Sequence, residues 1–180
     1  MSRSFIIAVF LAMMPVLAFG QEPKPTVVVD QFFELCSDGG DYDELVTKAE
    51  ALGWASAAAE HQSLFYSSIF KKPTRTLKLS KQVVEGFSVF AMILEEEGRS
   101  VSGQRLKTLC KIRLAVEDPF PSRKDLHHRL GSAPDKVVDQ AKYHADTWVS
   151  FLAGSVVGLQ IHKVSDEVSL VTVFQFTGDA

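Results

Sequence analysis

Three of the five histidines, His127, His128 and His144, share one neighbourhood with Asp125, Tyr143 and Asp146. Imidazole titrates near neutrality and is a common metal ligand, so a general base or a metal site would be sought here first. The spacing suits a metal badly. Neighbouring residues on a helix point about 100° apart, which keeps His127 and His128 from facing one ion, and the chain has no HExxH pattern. Solvated surface histidines are the default, and no metal or cofactor is expected. A hydrolase or lyase built on His127, His128 and His144 stands as the alternative. For acyl transfer there is no GxSxG nucleophile elbow. Gly154-Ser155-Val156-Val157-Gly158 has the composition without the order and reads as a turn between strands. The chain also holds no asparagine, which removes N-glycosylation sites, Asn-Gly turns and a Cys-His-Asn triad together.

Two cysteines occur, Cys36 and Cys110. Redox motifs place cysteines two residues apart, so these read as a structural disulfide in an oxidising compartment. The run Glu95-Glu96-Glu97 could gather a cation, but charge runs in turns are usually solvated. Lys71, Lys72, Arg75, Lys78 and Lys81 form the strongest local charge bias, because no acid occurs between Glu60 and Glu85. They would suit an anionic partner, such as a lipid headgroup or an acidic protein surface, through salt-sensitive attraction. The competing reading is that lysines guard an edge strand against unwanted pairing.

The elements that must position these residues follow from periodicity. Val29, Phe32, Phe33 and Cys36 recur at helical spacing, which predicts a helix over about Thr26–Cys36, ended by Ser37-Asp38-Gly39-Gly40. Asp41 with Glu44 makes a capping box for a second helix carrying Leu45, Ala49 and Leu52, with Gly53 as its stop. Ala55 to Glu60 suits a further helical turn or two. Leu77 and Leu79 alternate with polar residues as in an edge strand, whereas Phe87 to Leu94 is apolar on both faces and reads as a central strand. Gly98 marks a polar turn before a strand over about Arg105–Val116. There Leu106, Thr108, Cys110, Ile112, Leu114 and Val116 face the core, while Arg105, Lys107, Lys111 and Arg113 dominate the other face. Pairing Cys36 with Cys110 then docks the first helix on the sheet.

Farther on, Ser122 is placed to cap a short helix ending at Leu130 and stopped by Gly131. From Asp135 a helical turn or two leads to a strand beginning at about Asp146. Gly158–Val164 and Val168–Phe176 form a hairpin around Ser165-Asp166. The fold class is α+β: two N-terminal helices packed on an antiparallel sheet of about five to six strands, with one further short helix.

The N-terminus has the layout of a secretory signal peptide, with Arg3, an uncharged apolar run from Phe5 to Leu17, and small residues Ala18 and Gly20 before a cleavage point. A membrane-spanning helix needs roughly 18 or more apolar residues, and this run is shorter and contains Pro15. The predicted organisation is a signal peptide at 1–20, a linker at 21–25 set by Pro23 and Pro25, and one α+β domain at 26–180. The formal charge of −3 becomes −4 once Arg3 leaves with its acid-free segment, and such mild acidity argues against a nucleic-acid partner.

A helix ending Phe32-Phe33-Glu34-Leu35-Cys36, a second ending Gly53-Trp54, and a strand carrying Leu109-Cys110-Lys111 occur in that order. Over roughly residues 26–116 this arrangement resembles small exported proteobacterial proteins of unknown function. The resemblance implies a periplasmic setting and nothing about activity, binding residues or cofactors. The sequence therefore reads as an exported, periplasmic binding or protein-interaction module without catalytic activity and with no stable membrane anchor after signal cleavage. A small apolar-ligand carrier is the third reading, and it requires a cavity between helices and sheet.

Overall fold

The computed structural model describes residues 24–65, 73–85, 87–101, 104–149 and 155–178. The predicted signal peptide, most of the linker, Lys71, Lys72 and Gly154 lie outside them. Helix α1 (Val27–Leu35) turns Val28, Val29, Phe32 and Leu35 inward. Helix α2 (Tyr42–Ala51) starts on the Asp41 capping box and buries Leu45 and Ala49. Pro25, at the end of the predicted linker, belongs to the packed chain: its carbonyl accepts from the Ser122 hydroxyl at 2.5 Å.

One antiparallel sheet of eight strands carries these helices, in the order β1-β2-β3-β4-β8-β7-β6-β5. The strands are β1 (Ala55–Ser56), β2 (Arg75–Val84), β3 (Phe87–Val101), β4 (Gln104–Val116), β5 (Lys136–Gln140), β6 (Tyr143–Val149), β7 (Ser155–Lys163) and β8 (Ser169–Gly178). Helix α3 (Phe120–Leu130) lies between β4 and β5 in the chain. All three helices cover one sheet face, and their apolar residues merge with Ala91, Ile93, Ile112, Leu159, Val171 and Val173 into the main core. None of the helices among the described residues is long and apolar enough to cross a membrane.

The disulfide is formed as the two apolar stripes require. Cys36 and Cys110 lie 5.6 Å apart at Cα, and both are buried in the main core. Beside it Gln175, the cross-strand partner of Cys110, donates its side-chain amide to the carbonyls of Cys36 at 2.9 Å and Ser37 at 3.2 Å. Covalent and polar links thus fasten the end of α1 to the middle of the sheet.

Several expectations need correction. The stretch after Gly53 gives the short strand β1 and a 3-10 helix over Ala59–Phe65, because Ala55 and Ser56 find partners at Ser80 and Leu79. The chain does not turn at Gly98. Strand β3 runs on to Val101, with a register shift between Glu95 and Arg99 that absorbs the irregular polar run. Glu95 is recruited by Arg75, whose Nε lies 2.6 Å from its carboxylate. Ser122 does not cap α3; Asp118 accepts from the Phe120 amide at 3.0 Å instead. The segment from Lys136 is a strand, not a helical turn. Val138 and Ala145, which share one face of a helical wheel, are cross-strand partners in the β5–β6 hairpin. Together these changes raise the sheet from about five or six strands to eight.

The second sheet face also departs from expectation. Phe65, Met92, Leu94, Leu109, Phe174 and Phe176 form a separate buried cluster there. Phe174 can lie flat across β7 only because residue 158 is glycine: a Cβ at that position would stand 2.2 Å from its ring. Lys111 is not a solvated residue of this face but 6% exposed. Burial, reinforced by the nearby Arg113 charge, brings its pKa down to about 7. Arg113 donates through Nε to the Thr172 hydroxyl at 2.9 Å.

Candidate functional site

The histidine neighbourhood resolves into an interface between helix and strand. Alternation along β6 directs His144, Asp146 and Trp148 to the helix-covered face, and α3 presents Arg123 and His127 one turn apart above them. The Asp146 side chain is completely buried, and its Oδ2 accepts from His127 Nε2 and Arg123 Nε, each at 2.8 Å. His144 Nε2 approaches the other oxygen at 3.0 Å, and its Nδ1 stands 3.4 Å from Asp139. The His127 ring meets Trp148 edge-on at 5.0 Å, while Trp148 donates to the Ser132 carbonyl at 3.1 Å. Burial pushes the Asp146 carboxyl upward, but the hydrogen bonds from Arg123 and His127 and the charges of Arg123 and His144 outweigh it, so its pKa lies below the ordinary value.

This constellation clamps α3 to the sheet. The two imidazole nitrogens contact opposite oxygens of one carboxylate and do not converge on an empty point. Among the described residues no three His, Cys, Asp or Glu are grouped to hold a metal. His128 is exposed and takes no part. Two of the three histidines do meet an acid, but as packing between elements.

The basic stretch is divided by the pleat. Arg75 and Lys81 extend toward the helices, where Arg75 pairs with Asp43 and Glu95 at 2.6 Å each and lies over the Tyr42 ring. Lys81 stands 3.3 Å from Glu34 and near the Trp54 ring. Lys78 belongs to the opposite face, 5.6 Å from the Phe65 ring centre. These three cations therefore do not form one surface. Arg75 and Lys81 tie α1 and α2 to β2.

A different location has the character of a binding site. A cavity of about 300 Å³ opens where the α1–α2 loop, Asp38 to Asp41, meets Lys107 and Thr108 of β4 and Gln175 and Thr177 of β8. Gly40 shapes the loop with φ of +120°, and a Cβ there would stand 2.9 Å from the Glu44 carboxylate. That carboxylate accepts from the Asp41 amide at 3.1 Å while Asp41 accepts from Glu44 N at 3.0 Å, so the turn and the helix start depend on one another. Lys48 pairs with Asp38 at 2.8 Å, and this hydrogen bond and charge hold the Asp38 carboxyl below its usual range. Thr177 donates to the Gly40 carbonyl at 3.4 Å.

Two lining residues belong to β4. Thr108 is 1% exposed and lines the cavity from the strand side. Its hydroxyl is a group that a ligand in the cavity can hydrogen-bond. Lys107 is exposed and makes no ion pair among the described residues. A second recess of about 330 Å³, lined by Pro25, Phe87, Ala115 and Val116, lies beside the start of α1 and is the more apolar of the two.

Sequence reasoning missed the polar cavity. Ser37-Asp38-Gly39-Gly40 signalled only a turn, and Thr108 counted only as a core-facing position. A hydroxyl in the middle of an otherwise apolar alternation was the one available signal. No family model, no curated protein and no solved structure matches the chain.

Proposed function

We propose that the protein is an exported, periplasmic binding module whose ligand is a small polar molecule held in the cavity between the α1–α2 loop and the ends of β4 and β8. The single observation that carries this reading is a preformed cavity of about 300 Å³ whose described lining is polar and charged, with Lys107 and Thr108 on one side and Asp38 and Asp41 on the other. The disulfide supports export, because such bonds persist in oxidising compartments. The Asp146 cluster supports binding over hydrolysis, since its carboxylate and both histidines are occupied with one another. Native mass spectrometry of the protein released from the periplasm tests the reading. A bound small molecule that is lost on Thr108→Val is the expected result. An unliganded protein that hydrolyses ester or amide substrates, with loss of activity on His127→Gln, would overturn it.

A further inference from the structure

We infer that the cavity's ligand is a small zwitterion bearing an ammonium and a carboxylate, of the size of a free amino acid; this rests on the binding reading above. Size is the first argument. At about 300 Å³ the cavity stands at the lower end of ligand pockets and has room for a compact molecule only. Among the described residues its walls hold no aromatic ring and no Val, Leu, Ile or Met side chain. That described lining offers a sugar or nucleobase no platform to stack on and an acyl chain no apolar cover.

What the walls do offer is charge of both signs. The loop side brings the Asp41 carboxylate, which keeps acceptor capacity beyond its bond to Glu44 N because an ionised carboxylate has about four acceptor positions. Asp38 adds a second carboxylate already balanced by Lys48. The strand side brings Lys107, whose ammonium makes no ion pair among the described residues. A simple anion drawn to Lys107 would meet Asp41, and a simple cation drawn to Asp41 would meet Lys107. A molecule with both groups satisfies both sides, with its carboxylate toward Lys107 and its ammonium toward Asp41. Thr108 lies next to Lys107 in the chain and can donate its hydroxyl to the carboxylate end.

Amide chemical shifts of the oxidised, periplasm-purified protein, titrated with a mixture of the common free amino acids, with acetate, with ethylammonium and with glucose, test this. Saturable shifts at Gly39, Gly40 and Thr177 are expected with the amino acids. Acetate and ethylammonium, each carrying one charge only, are expected to bind at least about tenfold more weakly. Lys107→Met and Thr108→Val should each weaken amino-acid binding about tenfold, the loss of one charge-assisted hydrogen bond, with unchanged urea midpoints. Equal binding of acetate, or saturable binding of glucose alone that Thr108→Val removes, would overturn the zwitterion and leave the binding reading standing. No shift at these residues with any probe or with the periplasmic small-molecule fraction would overturn both.

Discussion

Replacing Asp146 by alanine removes the acceptor on which α3 is fastened to the sheet. Its carboxylate is fully buried and takes hydrogen bonds from Arg123, His127 and His144. A hydrogen bond to a charged group contributes roughly 1.5–3 kcal/mol, so three set an upper bound well above any realistic loss. Arg123 and His127 keep 33% and 31% exposure of their side chains and can turn to water once released. His144, at 13%, has less freedom. The net cost expected for Asp146→Ala is therefore about 2–3 kcal/mol, the size of one unrecovered charged bond. Urea unfolding gives the number, and hydrogen exchange should show the amides of α3 opening before those of β4 and β8. The pH dependence has a definite sign. The folded carboxyl titrates below its ordinary value, so its contribution is present above the unfolded pKa of about 4 and is lost as pH falls through the lower folded value. Wild type should lose stability faster than Asp146→Ala in that acid range. A variant within 0.5 kcal/mol of wild type, or parallel acid profiles, would refute the clamp; the threshold is the scatter of neutral surface substitutions, about 0.5 kcal/mol.

Three further outcomes follow from the packing. Replacing both cysteines by alanine, which opens a link across 74 residues, should destabilise the protein by up to about 4.5 kcal/mol in urea; a loss under about 1 kcal/mol would mean that α1 docks without the bond. Lys111 carries a depressed folded pKa of about 7, so the unfolded chain binds more protons above it and stability should rise from about pH 7 toward the unfolded lysine value of about 10.4. Urea midpoints of wild type and Lys111→Met across that range check this, and a difference between them that does not change with pH contradicts it. Lys78→Glu with Lys81→Glu should lower stability by about 0.5–1 kcal/mol by setting an acid against Glu34. It should leave association with anionic liposomes unchanged at low and high salt; a salt-sensitive loss of liposome binding would restore the basic stretch as a docking surface.

The parts of the fold legible in the sequence were those where local pattern and burial agree. The α1 stripe, the Asp41–Glu44 box, the alternation around Cys110 and the Ser165 turn all stand where periodicity places them. Ser165 indeed accepts from the Glu167 and Val168 amides at 3.3 and 3.0 Å. The failures share a cause. At Glu95–Ser100 and at Lys136–Gln140 a polar or ambiguous run becomes strand because a neighbouring strand offers it hydrogen bonds, which no local window records. Lys111 and Arg113 were legible as one face of β4, but not that Met92 and Phe174 flank Lys111. Of the candidate site, the histidine pair and its acid were visible as residue types. Their mutual saturation was not, and the cavity depends on Lys107, Thr108 and the Asp38–Asp41 loop meeting although they lie far apart in the chain.

The most direct test is a high-resolution crystal structure of the protein purified from its native source without denaturation. A small polar molecule in the cavity, within hydrogen-bond distance of the Thr108 hydroxyl, is the predicted result. A cavity that holds only water, with a ligand seated instead against His127 and His144, would contradict the account.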